Sequence, residues 1–442
     1  MRILYLAHRI PYPPNKGDKL RAFRHIEHLA KDHEVWCACF IDDPDDAKYV
    51  KPLSEHCREL AAIPLNRRRA TLRGLLGLAT GSTITESFYS DRQMKQTLER
   101  WCQSVAFDVV LAFSSSMAPY GFRVSAARRV LDLCDVDSRK WMEYGRTSSR
   151  PVRWLYSLEG RRLAMREHAW CESYDATLVV TKQEALLLDE TFSNSTPTPT
   201  GRIHVVGNGV SLPEIKRDAE FKRSGVPTVG FVGAMNYRPN VDAVCWFVEY
   251  CWPEILEVIP NAAFKIVGHA PTRKVRALGR RLAVQVVGPV KDIVSEIQSF
   301  DVSVAPLRMV FGIPNKVLES LSAGCPVVTT SAAASRIGLQ HAVHCYIADA
   351  PKSFSEKVVQ LLQDGQQRSQ IGLAGRALVS RTYQWVDQLR CLEWALEGNQ
   401  TSTPLKESGL VDSSEGETGV VPLESGNNIG TPSSRSAVAN VS

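Results

Sequence analysis

The stretch FGIPNKVLESLSAGCPVV, Phe311 to Val328, holds a loop, a short helix and the start of a strand in close succession. It follows the apolar run DVSVAP (Asp301 to Pro306), which reads as a strand. Phe311 to Asn315 then reads as a loop, and Lys316 to Ala323 as a helix whose apolar face is Val317, Leu318 and Leu321. Gly324 suits the residue just past the helix end, and Pro326 opens the next strand, PVVTT (Pro326 to Thr330). Two apolar strands joined through a helix make a unit of a parallel sheet covered on both faces.

The same unit recurs on both sides. Upstream, Ile3 to Ala7, VWCACFI (Val35 to Ile41), FDVVLAF (Phe107 to Phe113), RVLDLC (Arg129 to Cys134) and ATLVVT (Ala176 to Thr181) are strand-like and separated by helix-length segments. A polar stretch, SNSTPTPTGR (Ser193 to Arg202), and the turn-like VVGNGVSLPE (Val205 to Glu214) separate them from a second series. That series is PTVGFVG (Pro227 to Gly233), AFKIVG (Ala263 to Gly268), VQVVG (Val284 to Gly288), DVSVAP and PVVTT. The pattern predicts an α/β chain of two Rossmann-like parallel-sheet domains, residues 1–210 and 211–380, facing an interdomain cleft. A helix over 381–397 is expected to cross back to the first domain, and a Ser/Gly/Thr/Pro/Glu-rich tail, 398–442, to be disordered.

Composition narrows the function classes. The 442 residues suit two domains, and no run of eighteen apolar residues or signal-peptide pattern occurs, so an intracellular protein without a membrane span is expected. Eleven scattered cysteines without C-x-x-C spacing suggest neither a disulfide framework nor a zinc site. The formal charge of +6 is uneven: from Gly398 onward there are two basic and five acidic residues, which leaves 51 basic against 42 acidic in the body, about +9. Such a body suits a polyanionic ligand or an anionic membrane, and no nucleic-acid-binding motif accompanies it.

In open parallel sheets, ligands bind beyond the carboxyl ends of strands. Lys316 and Glu319 lie at i and i+3 near a helix N-terminus placed there, where free N–H groups and the helix dipole favour an anion. Phosphates on Lys316 and the helix start, with ribose hydroxyls on Glu319, would fit a nucleoside diphosphate. A solvated i,i+3 salt bridge is the plain alternative, and Asn315 reads either as a helix cap or as a ligand contact. After the first strand, Gly17 leads into Asp18, Lys19 and Arg21, a helix start suited to a phosphate or an acceptor oxygen, or else a flexible loop with an Asp cap. Asp135 and Asp137 follow the RVLDLC strand, where a carboxylate orients or deprotonates a hydroxyl, or caps a helix. The absence of G-x-G-x-x-G counts against a nicotinamide enzyme. Asn66 to Gly81 combines Arg67, Arg68, Arg69 and Arg73 with Leu72, Leu75, Leu76 and Leu78, which suits an anionic membrane surface or an ordinary amphipathic helix.

The segment NKVLESLSAGCPVVT, with VGNGVS and FVGAMNYRPNVDA, resembles the nucleotide-sugar glycosyltransferases of the GT-B fold, family 4. It is especially similar to sugar transferases associated with bacterial exosortase/PEP-CTERM exopolysaccharide loci, which HRIPYPPNKGDKLR and LDLCDVDSRKW (Leu131 to Trp141) also resemble. The resemblance implies a retaining, metal-independent hexosyl transfer from a nucleotide-sugar to a lipid-linked acceptor, without a cofactor, in the cytoplasm or on the inner face of the membrane. It implies a donor site of Gly233, Arg238, Asn315, Lys316 and Glu319, with Arg238 standing where many members place diphosphate-binding residues. Gly17, Asp18, Lys19 and Arg21 would serve the acceptor, and Asp135, Asp137 and Lys316 the chemistry. The glutamate that the family usually has eight positions before Glu319 falls on Phe311. Two rival readings stay open: a nucleotide-sugar epimerase on the same fold and a non-catalytic binding protein. The D-V-D of Asp135 to Asp137 lies far from the donor motif, so a metal is not expected there.

Overall fold

A computed structural model of the chain describes residues 1–192, 202–215 and 225–398. The polar stretch 193–201, the join over 216–224 and the tail from 399 lie outside the described residues. Seven strands form the first sheet: β1 (Arg2–Ala7), β2 (Glu34–Ile41), β3 (Glu59–Pro64), β4 (Phe107–Phe113), β5 (Ala126–Cys134), β6 (Ala176–Val179) and β7 (Ile203–Val205). Six form the second: β8 (Thr228–Val232), β9 (Ala263–Val267), β10 (Val284–Gly288), β11 (Val302–Ala305), β12 (Val327–Thr329) and β13 (Tyr346–Ile347). Every strand pair within these sheets is parallel.

The strand orders are β3-β2-β1-β4-β5-β6-β7 and β10-β9-β8-β11-β12-β13. In both sheets the first strand lies inside and the order reverses beside it, between β1 and β4 and between β8 and β11. A crevice opens there at the carboxyl ends of the strands. The loops that matter are therefore those after β1 and β4 and after β8 and β11, with the loop after β5 next to that of β4.

The strands read as apolar runs because both faces are covered. In β1, Leu4 and Leu6 join Trp36, Phe40 and Trp101 on one side. Ile3, Tyr5 and Ala7 join Ala22, Phe23 and Ile26 on the other. Each such fully buried large side chain contributes roughly 1.5–3 kcal/mol relative to exposure. Leu389, Leu392, Ala395 and Leu396 belong to this second cluster, so the final helix packs on the first sheet although it follows the second in sequence.

That helix is Trp385–Glu397, and the preceding one, Gly365–Thr382, ends at a break over Tyr383 and Gln384. A helix begun at Arg381 is thus corrected by a few residues. The break has a cause: the Tyr383 carbonyl accepts from the Val210 amide at 2.7 Å, and its hydroxyl donates to the Ile337 carbonyl at 2.9 Å. The two segments passing between the halves run side by side, with Val210 bridged to Gln384.

Candidate active site

The helix beyond β11 spans Asn315–Ser322, one residue ahead of the span expected from sequence. Pro314 precedes it and offers no side-chain cap; the Val317 amide donates to the Pro314 carbonyl at 2.8 Å, which leaves the Asn315 and Lys316 N–H groups for an anion. The Lys316 ammonium lies 5.7 Å from the Phe231 ring centroid and makes no ion pair or hydrogen bond among the described residues. The Glu319 carboxylate likewise has no hydrogen-bond partner there, so the expected alternative of an i,i+3 salt bridge is not what the structure holds. Burial lowers the Lys316 pKa to about 8, with Glu319 acting the other way. Burial raises that of Glu319 to about 7, opposed by Lys316. An under-compensated cation and carboxylate at a helix start form a site poised for a charged ligand.

Gly233 follows β8 beneath Lys316. A Cβ placed on it would lie 2.7 Å from Asn240 Nδ2 and 3.2 Å from Lys316 Cε, so the lysine stem passes directly over this backbone. Asn315 faces the other half: its Oδ1 accepts from Asn208 Nδ2 at 3.0 Å, and its Nδ2 would be 3.1 Å from a Cβ on Gly17. Asn315 is thus a contact between halves, and Gly17 lies in the cleft with it.

The two aspartates after β5 differ sharply. Asp137 Oδ2 accepts from Ser115 Oγ at 2.5 Å, and its Oδ1 pairs with Lys140 Nζ at 2.9 Å. Burial opposes its charge, yet Lys140 and Ser115 outweigh this and lower its pKa. Asp135 has no hydrogen-bond partner among the described residues, and burial raises its pKa to about 7, with Lys140 opposing and Glu184 adding to the rise. Asp135 is therefore the less committed carboxyl. It lies against Gly312, whose φ is +56° and where a Cβ would meet Asp135 Oδ1 at 2.1 Å. Only glycine satisfies both the backbone and the contact.

Several expected ligand contacts are turned elsewhere. Asp18 is paired with His8 at 3.3 Å and Arg9 at 3.1 Å; burial disfavours its charge, but Arg9 and His8 hold its pKa well below the usual range. Lys19 is buried against Asp46 at 2.6 Å. Arg21 is wholly buried: it pairs with Asp132 at 2.8 Å and donates to the Val206 carbonyl at 2.7 Å and to Asn208 Oδ1 at 3.2 Å. Lys19 and Arg21 lie on the face of the helix Gly17–Leu29 that packs inward, so they are corrected from acceptor contacts to structural ones. Arg238, expected at the diphosphate, is turned to the other half. Its guanidinium donates to Thr147 Oγ1 at 2.7 Å and to the Thr147 carbonyl at 3.2 Å, and stacks 4.8 Å above the Tyr144 ring, all in the other half.

Phe311 meets Tyr144 edge to face with centroids 5.7 Å apart, so the position of the usual first glutamate is filled by an aromatic contact between halves. Beside it a groove of about 630 Å³ opens, lined by Arg139, Met142, Glu184, Arg308, Phe311 and Arg336 among others. Glu184 closes its floor: it accepts from Arg336 at 2.5 Å, from the Gly312 amide at 3.3 Å and from the Val136 amide at 2.9 Å. Lys140, Tyr144, Glu184 and Asn208 were not singled out from sequence. Of these Asn208, inside VGNGVS, and Lys140, inside LDLCDVDSRKW, lay in stretches that carried the resemblance. Among the described residues no three His, Cys, Asp or Glu side chains gather in a group able to hold a metal.

Residues 226–364, which include Gly233, Arg238, Asn315, Lys316 and Glu319, match the family model described as Glycosyl transferases group 1. No curated protein matches the chain in sequence. Among solved structures it is similar to Anabaena Alr3699/HepE in complex with UDP-glucose, with a TM-score of 0.63 and 13% identity over 90% of this chain and 100% of that one. Sucrose-phosphate synthase (tll1590) from Thermosynechococcus elongatus gives 0.65 and 16%, covering 90% and 99%. WaaG, a glycosyltransferase involved in lipopolysaccharide biosynthesis, gives 0.60 and 16%, covering 90% and 100%. At these identities the likeness is one of fold: two parallel-sheet α/β halves in the GT-B arrangement.

Proposed function

We propose that the protein is a glycosyltransferase that moves a hexosyl group from a nucleotide-sugar to a lipid-linked exopolysaccharide acceptor, with retention of configuration and without a metal. The match of residues 226–364 to a glycosyltransferase family and the GT-B fold support the reaction class. One observation carries the reading: Lys316 and Glu319 stand without partners at a helix start on the crevice of the second sheet. As the bond from the sugar's anomeric carbon to the diphosphate breaks, negative charge grows on the departing oxygen. Lys316 and the helix N-terminus stabilise that charge where it develops. Glu319 accepts from the ribose hydroxyls. Asp135, unpartnered and close to neutrality in pKa, accepts the hydrogen bond of the acceptor hydroxyl, which approaches by the groove beside Phe311.

The acceptor's lipid anchor places the reaction at the inner face of the cytoplasmic membrane, with residues 66–81 as the contact. The resemblance to exosortase/PEP-CTERM-associated transferases supports an exopolysaccharide as the polymer. Calorimetric titration with UDP, GDP and ADP, each with and without chelator, tests the donor site. Metal-independent binding of one diphosphate, lost in Lys316→Ala and Glu319→Ala, is the expected result. No binding by any of them favours the non-catalytic reading, and isomerisation of a nucleotide-sugar without acceptor identifies an epimerase.

A further inference from the structure

Arg238, which the resemblance places on the donor diphosphate, is engaged with Thr147, Ser148 and Tyr144 of the N-terminal half. A diphosphate then finds Lys316 and the start of its helix on the C-terminal half. We propose that Lys140 is the second cation on the donor diphosphate, delivered across the cleft by the N-terminal half. The inference rests on the nucleotide-sugar reading above.

Lys140 lies in the helix Asp137–Arg146, and Tyr144 follows it at i+4, so the two share a helix face. The contacts of Tyr144 fix where that face looks. Its ring lies under the Arg238 guanidinium at 4.8 Å and meets Phe311 at 5.7 Å, both in the C-terminal half. Tyr237, next to Arg238, ends the loop that begins at Gly233 after β8. Lys316 passes over the beginning of this loop, its Cε 3.2 Å from a Cβ built on Gly233. Lys140 stands on the helix face that meets the end of it. Two lysines, one from each half, thus bracket the loop at the crevice of the second sheet.

Lys140 is also held ready. Its ammonium is 2.9 Å from Asp137 Oδ1, and Asp137 is itself fixed by Ser115, while 28% of the Lys140 side chain stays exposed. Burial works against its charge, but Asp137, with Tyr237 and Asp135, raises its pKa well above the usual value. It therefore stays a cation at a pH where Lys316, lowered to about 8, begins to lose its proton. A charge-assisted bond from a positioned ammonium to a phosphate is among the stronger polar contacts. Since one lysine comes from each half, tight diphosphate binding requires the two halves together.

Calorimetric titration of UDP, GDP and ADP, and of the corresponding nucleosides, into the wild type, Lys140→Met, Lys140→Arg, Asp137→Asn and Lys316→Ala tests this. Lys140→Met is expected to weaken the diphosphate by about tenfold and to leave the nucleoside unaffected, while Lys140→Arg keeps most of the affinity. Asp137→Asn takes away the carboxylate that pairs with Lys140 and leaves the amine itself in place, so diphosphate binding is expected to fall less than in Lys140→Met. Wild-type diphosphate affinity in Lys140→Met, with loss in Lys316→Ala, overturns the inference and leaves the donor site standing. Equal weakening in Lys140→Met and Asp137→Asn also overturns it, because the ion pair would then act only as a structural tie. A wild type that binds no diphosphate overturns the donor reading itself. Thermal unfolding of each variant shows that the folded protein is being titrated.

Discussion

Lys316 and Glu319 are near neighbours on one helix, yet burial rather than mutual attraction sets their charge states, with pKa values near 8 and 7. Their titration is coupled, so the two steps belong to the pair. A diphosphate binds the protonated lysine, and its affinity should fall as pH rises above about 8, by up to about tenfold per pH unit. Ribose hydroxyls donate to the ionised carboxylate, so affinity should also fall as pH drops below about 7. Diphosphate affinity measured by titration from pH 6 to 9 is expected to peak between the two values. Lys316→Met should abolish the alkaline limb and Glu319→Gln the acid one; an unchanged alkaline limb in Lys316→Met would refute the assignment. These two residues were legible because helix, charge and loop lie in one short stretch. Arg21 and Arg238 were not: their partners Asp132 and Thr147 are far away in sequence, and a guanidinium on a loop looks the same whether it meets phosphate or a carbonyl. Lys140 was hidden by its closeness to Asp137, which reads as an ordinary surface pair.

The helix that carries Lys140 and Tyr144 is held by the long helix Arg150–Ser173 behind it. Glu167 of the long helix, almost wholly buried, accepts from the Ser138 hydroxyl at 2.5 Å and the Ser138 amide at 3.1 Å. Burial raises its pKa to about 8, against the lowering effect of Ser138. In the unfolded chain the same carboxyl ionises near pH 4.3. Its folded pKa lies above its unfolded one, so its contribution to stability is complete below about pH 4 and is lost as pH rises towards about 8. Between pH 5 and 8 the wild type should lose stability from this group at up to about 1.4 kcal/mol per pH unit. Glu167→Gln removes that dependence, and its melting temperature should change less between pH 5 and 8 than that of the wild type. Equal pH slopes in the two proteins would mean that Glu167 is already ionised when folded. At this scale the sequence resolved the long apolar strands and missed β3, β7 and β13. ELAAIP has small residues in place of a continuous large apolar run, and β7 and β13 are edge strands of three and two residues. Such strands are defined by the neighbour they pair with more than by their own pattern.

Across the molecule, one surface stands apart from the cleft. The helix Arg67–Ala79 buries Ala70, Gly74 and Leu78 and leaves Leu72, Leu75 and Leu76 49–60% exposed. Arg68 and Arg69, exposed one turn before Leu72, continue the same stripe. Arg162 of the long helix donates to the Leu78 and Ser82 carbonyls, which fixes the two helices beside each other. The long helix adds Trp154 and Met165, each more than 60% exposed, with Arg161 and Arg166 also at the surface. No helix among the described residues is long and apolar enough to cross a membrane. A leucine stripe with arginines and an exposed tryptophan instead suits a helix lying in the headgroup region of an anionic bilayer. Sequence showed the arginines and leucines of 66–81; that the leucines stay uncovered depended on packing between segments far apart in the chain. Co-sedimentation should find the protein on vesicles containing phosphatidylglycerol and not on phosphatidylcholine alone, with binding that weakens as salt rises because the arginine contribution is screened. Leu72→Ser with Leu76→Ser should release the protein through lost apolar insertion, while Arg68→Gln with Arg69→Gln should weaken binding at low salt and flatten its dependence on salt. Unchanged sedimentation in the leucine double variant would remove the membrane contact and leave the donor site untouched, because the two lie on separate elements of the fold.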